Sequence, residues 1–270
     1  MKEMATIGFY GAGNMGQAML AGLLEAKLYA QDAIFVYDAY KPSLEKIKRN
    51  FGVKTLTDSD ELIQKSDIII FAVKPNVLLE VLPQVAKVIK NEQLVVSIAA
   101  GITIDTLVDC LGETQKILRV MPNTPALVGE AMSAVAANAV VTSEEIAQVL
   151  AIFRSFGKAE VVPEKMMDCV TGLSGSGPAF VYLFIEALAD GAVFEGMSRE
   201  MAYEFAAQTV LGAAKMVIET KEHPGVLKDQ VTSPDGTTIT GVKVLETEGL
   251  RAAIMVAVSA ATKKSRQLGN

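Results

Sequence analysis

The hexapeptide Gly11-Ala12-Gly13-Asn14-Met15-Gly16 stands directly behind the apolar run Ile7-Gly8-Phe9-Tyr10 and directly ahead of a helical pattern. Strand, glycine turn and helix in that order leave few folds open. The spacing Gly-x-Gly-x-x-Gly in this setting belongs to a βαβ unit that holds a dinucleotide. Gly11 permits the tight turn, Gly13 lets the backbone approach a pyrophosphate, and Gly16 lets helix and strand pack closely. Asn14 and Met15 lie at the helix start, where free amides face an anion.

The pattern that follows fits the same architecture. Ile34-Phe35-Val36-Tyr37, Ile68-Ile69-Ile70-Phe71 and Leu94-Val95-Val96-Ser97-Ile98 are almost continuously apolar, as strands are when helices cover both faces of a sheet. The segments between them have the length of crossover helices. Lys116 to Met121 and Met132 to Ala137 extend the sheet. An α/β fold is therefore expected, with a doubly wound parallel sheet (a Rossmann domain) over residues 1–162. After Pro163 the strand signal stops. Helix formers dominate Pro178 to Glu195, Arg199 to Thr220 and Gly249 to Leu268, which predicts an all-α domain over residues 163–270. Its helices are apolar around much of their circumference, so a partner subunit is expected to cover them.

Two further loops at strand ends face the predicted cofactor crevice: Ala72-Val73-Lys74-Pro75, and Ser97 to Gly101 with Ala99 and Ala100. Asp38 ends the second strand 38 − 16 = 22 residues beyond Gly16. An acid there accepts hydrogen bonds from ribose hydroxyls and repels a 2′-phosphate, which tilts the choice between NADH and NADPH toward NADH. Lys41, three residues on, could still compensate a phosphate.

Three stretches have no ordinary structural explanation in the sequence: Arg119-Val120-Met121-Pro122-Asn123-Thr124-Pro125, Leu173-Ser174-Gly175-Ser176-Gly177-Pro178, and Asp229 to Thr238, which ends Ser233-Pro234-Asp235-Gly236-Thr237-Thr238. With these in order behind the glycine turn, the chain resembles the pyrroline-5-carboxylate reductase family along nearly its whole length. The resemblance implies hydride transfer from the nicotinamide C4 to the imine carbon of 1-pyrroline-5-carboxylate (C5 counted along proline), giving L-proline. It implies that Ser233, Gly236, Thr237 and Thr238 surround the substrate, with Thr238 as donor to the ring nitrogen. Ser176 and Asn123 are further candidates for substrate contact. The last stretch reads as a tight turn feeding a helix start, where amides and hydroxyls suit a carboxylate. Two threonines there could equally cap their own helix. Asp235 departs from the family, which usually has glycine at this position. Ser174 to Pro178 reads as another helix opening, with Pro178 in the first turn. The resemblance also implies a homodimer, with larger rings possible.

Composition narrows the alternatives. Against 25 basic residues stand 31 acidic ones, a net charge of −6 that disfavours a nucleic-acid partner. Cys110 and Cys169 are far apart, so free thiols are expected rather than a disulfide framework or metal site. A single histidine, His223, leaves little room for zinc or triad chemistry, and it reads as part of a loop connector. No metal is expected. The apolar run Ala179 to Phe194 is broken by Glu186 and Asp190 and no leader pattern follows Met1, so a cytoplasmic protein without a membrane span is expected. Two other readings compete. One is a 3-hydroxyacid dehydrogenase of the 6-phosphogluconate type, for which Lys215 or Lys243 would have to move a proton. The other is a nucleotide-binding scaffold without chemistry.

Overall fold

A computed structural model of the chain describes residues 5–268. The apolar runs become strands: β1 (Ile7–Tyr10), β2 (Ile34–Tyr37), β3 (Lys54–Leu56), β4 (Ile68–Phe71), β5 (Leu94–Ser97) and β6 (Lys116–Met121). They lie in the order β3-β2-β1-β4-β5-β6, every pair parallel. Helices α1 (Asn14–Glu25), α2 (Lys41–Phe51), α3 (Ser59–Lys65), α4 (Pro75–Val88) and α5 (Ile104–Leu111) link them. Successive strand residues face opposite ways, and here both faces are covered. Ile7, Phe9, Ile68, Ile70 and Val96 join Met19 and Leu23 of α1 and Ile47 of α2 in one core. Tyr10, Ile69, Phe71 and Val95 join Leu62 of α3, Leu78 and Leu82 of α4 and Leu107 of α5 in the other. Burial on both sides is why these strands read as unbroken apolar runs.

The last two strands run the other way. Parallel strands need a connection of about a dozen residues or more, and only residues 122–130 separate β6 from β7 (Ala131–Ala137). β7 therefore returns antiparallel, with Leu118 opposite Ala137 and Met121 opposite Ala134. α6 (Ser143–Arg154) then carries the chain to β8 (Gly157–Val161), parallel to β7 at the sheet edge. The expected parallel sheet thus holds for six strands of eight.

Residues up to Ser176, with those from Ala260 onward, form one compact unit, and Gly177–Ser259 form a second. Beyond β8 the chain is helical: α7 (Met167–Val170), a π turn over Thr171–Gly175, α8 (Gly177–Phe194), α9 (Arg199–Thr220), α10 (Pro224–Gln230), α11 (Thr237–Thr247) and α12 (Leu250–Leu268). Pro178 does fall in the first turn of α8, but no loop precedes it: α7 and the π turn run straight into α8. The expectation of a fresh helix opening is corrected accordingly, since helical backbone is continuous over Glu164–Phe194. That run is long and apolar enough to cross a membrane by length and composition alone. It carries Asp168, Glu186 and Asp190, and Asp168 accepts a hydrogen bond from Ser265 Oγ at 2.7 Å. The second unit buries little of its own apolar surface. Its core centres on Ala189, Ala202 and Ala206, while Leu183, Phe205, Met255 and Val256 are exposed. Cys110 and Cys169 are both free thiols.

Candidate functional site

At the carboxyl ends of β1 and β4 the strand order reverses, which is where an open α/β sheet leaves a crevice for ligands. Gly11 leaves β1 with φ +114°, a conformation that side chains rarely adopt, and its N–H donates to Tyr37 O at 2.8 Å. A Cβ on Gly11 would stand 2.6 Å from Ala72 O, so the turn is closed on that side. On Gly13 a Cβ would meet nothing within 4 Å. Gly13 therefore faces open space with its backbone bare. It also caps α1 without a side chain, and the first helical bond runs from Gln17 N to Gly13 O. The amides of Asn14, Met15 and Gly16 have no helical acceptor. A Cβ on Gly16 would lie 2.8 Å from Gly11 O, so only glycine lets the helix start so near the turn. No acidic side chain lies in the first turn of α1, whereas α3, α5 and α6 each carry one or more. Bare backbone, free amides and a first helical turn without a carboxylate make a seat for a diphosphate.

Asp38 follows β2 and closes this loop from the other side. Its Oδ2 accepts from Ala12 N and its Oδ1 from Tyr40 N, each at 2.8 Å. The carboxylate thus anchors the glycine turn and still has lone pairs for a sugar hydroxyl. Ala72 N donates to Tyr10 O at 2.9 Å, holding the Ala72-Val73-Lys74-Pro75 loop beside the turn. Lys74 is exposed at the N-cap of α4, with Pro75 as first helical residue. Ala99 is buried and Ala100 exposed, and Ala99 N donates to Ser97 Oγ at 3.3 Å. Beneath the crevice Tyr10 packs edge-on to Tyr37 with ring centroids 4.9 Å apart, and burial pushes its phenol pKa up.

Asn123 has its side chain turned into the protein. Its Nδ2 donates to Ser174 O at 3.0 Å and its Oδ1 accepts from Met132 N at 2.8 Å. Two of the three unexplained stretches therefore clasp one another. Arg119, in the same stretch, is buried and pairs with Glu164 Oε1 at 3.1 Å, an oxygen that also accepts from Ile104 N at 2.7 Å. Ser176, half-buried, directly follows the π turn.

In the second unit, Ser233 to Gly236 form a turn closed by Gly236 N to Ser233 O at 3.1 Å. Asp235 has φ +56°, the left-handed region, which accounts for the glycine usual there: aspartate is among the few residues that tolerate it. A Cβ on Gly236 would sit 2.4 Å from Ser233 Oγ, so the serine hydroxyl lies against the helix start. The N-cap of α11 is Gly236, with no side-chain cap. Thr237 and Thr238 are exposed residues of the first turn, so the alternative that they cap their own helix is not what the structure shows. The helix start offers hydroxyls and free amides, again with no acidic residue in its first turn. His223, by contrast, caps α10, its Nδ1 accepting from Gly225 N at 3.0 Å. Lys215 pairs with Glu219 at 3.5 Å on the surface of α9.

Residues 164–268 match the family model described as pyrroline-5-carboxylate reductase dimerisation, and residues 6–101 match that described as NADP oxidoreductase, coenzyme F420-dependent. Pyrroline-5-carboxylate reductase of Escherichia coli (strain K12) is 50% identical over 262 residues, 97% of each chain. The chain belongs to the pyrroline-5-carboxylate reductase family. The reductase of Methanosarcina acetivorans is 49% identical over 267 residues, 99% of each chain. In three dimensions, pyrroline carboxylate reductase of Plasmodium falciparum, solved with NADP bound, matches with a TM-score of 0.89 at 36% identity over 99% of each chain.

What sequence reasoning missed in this family member lies between the motifs. Neither the Arg119–Glu164 pair nor the Asn123 bridge to Ser174 leaves a local pattern, because the partners are 45 and 51 residues apart. Only the proline at 178 hints at the second, by leaving a helical carbonyl without its donor.

Proposed function

We propose that this chain reduces 1-pyrroline-5-carboxylate to L-proline. Residues 1–162 bind the dinucleotide, and residues 163–270 bind substrate and form a homodimer that can assemble further. A reduced nicotinamide ring would supply the hydride to the carbon of the protonated imine, whose C=N electron pair passes to the nitrogen that already carries the proton. The protein's part is to bind, orient and place a hydrogen-bond donor at that nitrogen. Gly11, Gly13, Asn14, Met15 and Gly16 seat the diphosphate. Asp38, Ala72, Val73, Lys74, Pro75, Ala99 and Ala100 line the remainder of the cofactor. Ser233, Gly236, Thr237 and Ser176 hold the imino acid, its carboxylate on the free amides of the α11 start. Asn123, the remaining candidate for substrate contact, stands outside this set because both ends of its amide are bonded within the protein. Thr238 donates its hydroxyl hydrogen bond to the ring nitrogen.

Full-length identity of 50% to a named reductase carries this reading. It also displaces the hydroxyacid dehydrogenase, for which Lys215 or Lys243 would have to move the proton: both are exposed on helix surfaces, and Lys215 pairs with Glu219. The carboxylate of Asp38 beside the glycine turn favours NADH over NADPH. The exposed apolar faces of α8, α9 and α12 are the dimer surface, and the protein works in the cytoplasm. One assay tests the reading: cofactor oxidation with pyrroline-5-carboxylate, run with NADH and with NADPH, beside 3-hydroxyacids plus oxidised cofactor and a reaction without substrate. Only pyrroline-5-carboxylate should support turnover, with the higher kcat/KM on NADH. Turnover of the hydroxyacids alone would reject it.

A further inference from the structure

Pro178 has no N–H, so the carbonyl of Ser174, four residues earlier, lacks the donor that an α-helix would provide. Asn123 Nδ2 fills that place at 3.0 Å, from a side chain whose Oδ1 is held by Met132 N at 2.8 Å. The residue is only 9% exposed. A second observation puts the same turn under constraint: a Cβ on Gly175 would stand 2.9 Å from Met121 Cε, so the π turn sits tight against the end of β6. Of the hydroxyls in this segment, Thr171 Oγ1 donates to Met167 O at 2.9 Å and Ser174 Oγ to Val170 O at 3.1 Å. Both are spent on the helix itself. Ser176, one residue past the turn, contributes its backbone N–H to the π bond to Thr171 O at 2.8 Å and keeps its hydroxyl for other use.

We propose that Asn123 is a positioning residue: by occupying the Ser174 carbonyl it holds the π turn, and the π turn aims the Ser176 hydroxyl at the imino acid. A π turn carries one residue more than an α turn, so its relaxation would rotate Ser176 by about 100° about the helix axis. This rests on the reading of Ser176 as a substrate contact.

Asn123→Asp keeps the acceptor for Met132 N and replaces the donor to Ser174 O by an oxygen. The substrate KM should rise about tenfold or more, with kcat altered less than about threefold and cofactor affinity unchanged. In a Ser176→Ala background the same change should cost less than about twofold, because the group it positions is gone. Asn123→Ala, which brings no charge to the carbonyl, should follow the same pattern. The full Asn123→Asp loss persisting without the Ser176 hydroxyl would overturn the proposal, as would a lowered melting temperature with unchanged KM. Hydrogen exchange over residues 171–176 reports the positioning whatever the substrate: it should quicken in both Asn123 variants, and unchanged protection overturns the proposal. Absence of wild-type turnover with pyrroline-5-carboxylate would instead reject the substrate reading, and exchange would still decide the role of Asn123.

Discussion

Gly11 and Gly13 are alike in sequence and opposite in what surrounds them. The first is enclosed, at φ +114° with Ala72 O 2.6 Å from where a Cβ would lie; the second, at φ −69°, faces empty space. A side chain at position 13 therefore costs the fold little and blocks whatever lies against the bare backbone. Gly13→Val should leave the melting temperature close to wild type and weaken cofactor binding by about 1.4 kcal/mol or more, tenfold in Kd by calorimetry. Equal affinity in the variant would contradict the assignment of this turn. Thr238 admits a similar separation. It lies in the first turn of a helix capped by Gly236, so its hydroxyl is not needed to start that helix. Thr238→Val should lower kcat/KM by on the order of 10² while melting and cofactor affinity hold, since a positioned donor is worth about that much. Thr238→Ser should keep most of the activity. Full activity in Thr238→Val would remove the residue from the chemistry.

Among the elements, α6 shows how local sequence and distant contacts share one side chain. Thr142 caps the helix by accepting from Glu145 N at 3.3 Å, and Glu145 Oε2 accepts from Thr142 N at 2.9 Å. Glu145 Oε1 also takes Lys116 Nζ at 2.5 Å. Burial raises the carboxyl pKa, but the Lys116 and Thr142 hydrogen bonds outweigh it and the net shift is downward. A lowered folded pKa means stabilisation that is present above the ordinary carboxylate range and lost as pH falls through the folded value. Glu145→Gln should thus cost about 1 kcal/mol in urea unfolding at neutral pH, and the difference should vanish in acid. A gap independent of pH would show that the charge is irrelevant. The glycine turn, six of the strands and the long helices were legible in the sequence, because each is a local pattern of spacing or burial. The Asn123 bridge and the antiparallel turn-back of β7 were not, since they depend on contacts far along the chain and on how few residues separate two strands. Strands β3 and β8 also escaped notice: β3 has only three residues, and Lys158 and Glu160 interrupt β8 with charge.

For the whole molecule the main physical question is what covers the second unit. Met255 of α12 is 70% exposed in the single chain, amid Ile254 and Val256 that are also exposed. Such a face on a stable protein implies a partner, and the family model matched over residues 164–268 names dimerisation. Met255→Glu places a charge on that face without disturbing any core, so light scattering should show the oligomer dissociating or aggregating; an intact oligomer would place the interface elsewhere. Isotope transfer follows the chemistry itself. With cofactor carrying deuterium on the transferable C4 position, turnover of 1-pyrroline-5-carboxylate should yield L-proline labelled on the former imine carbon, one label per cofactor oxidised. Proline formed without the label, or cofactor oxidised without proline, would rule out direct hydride transfer to this imine.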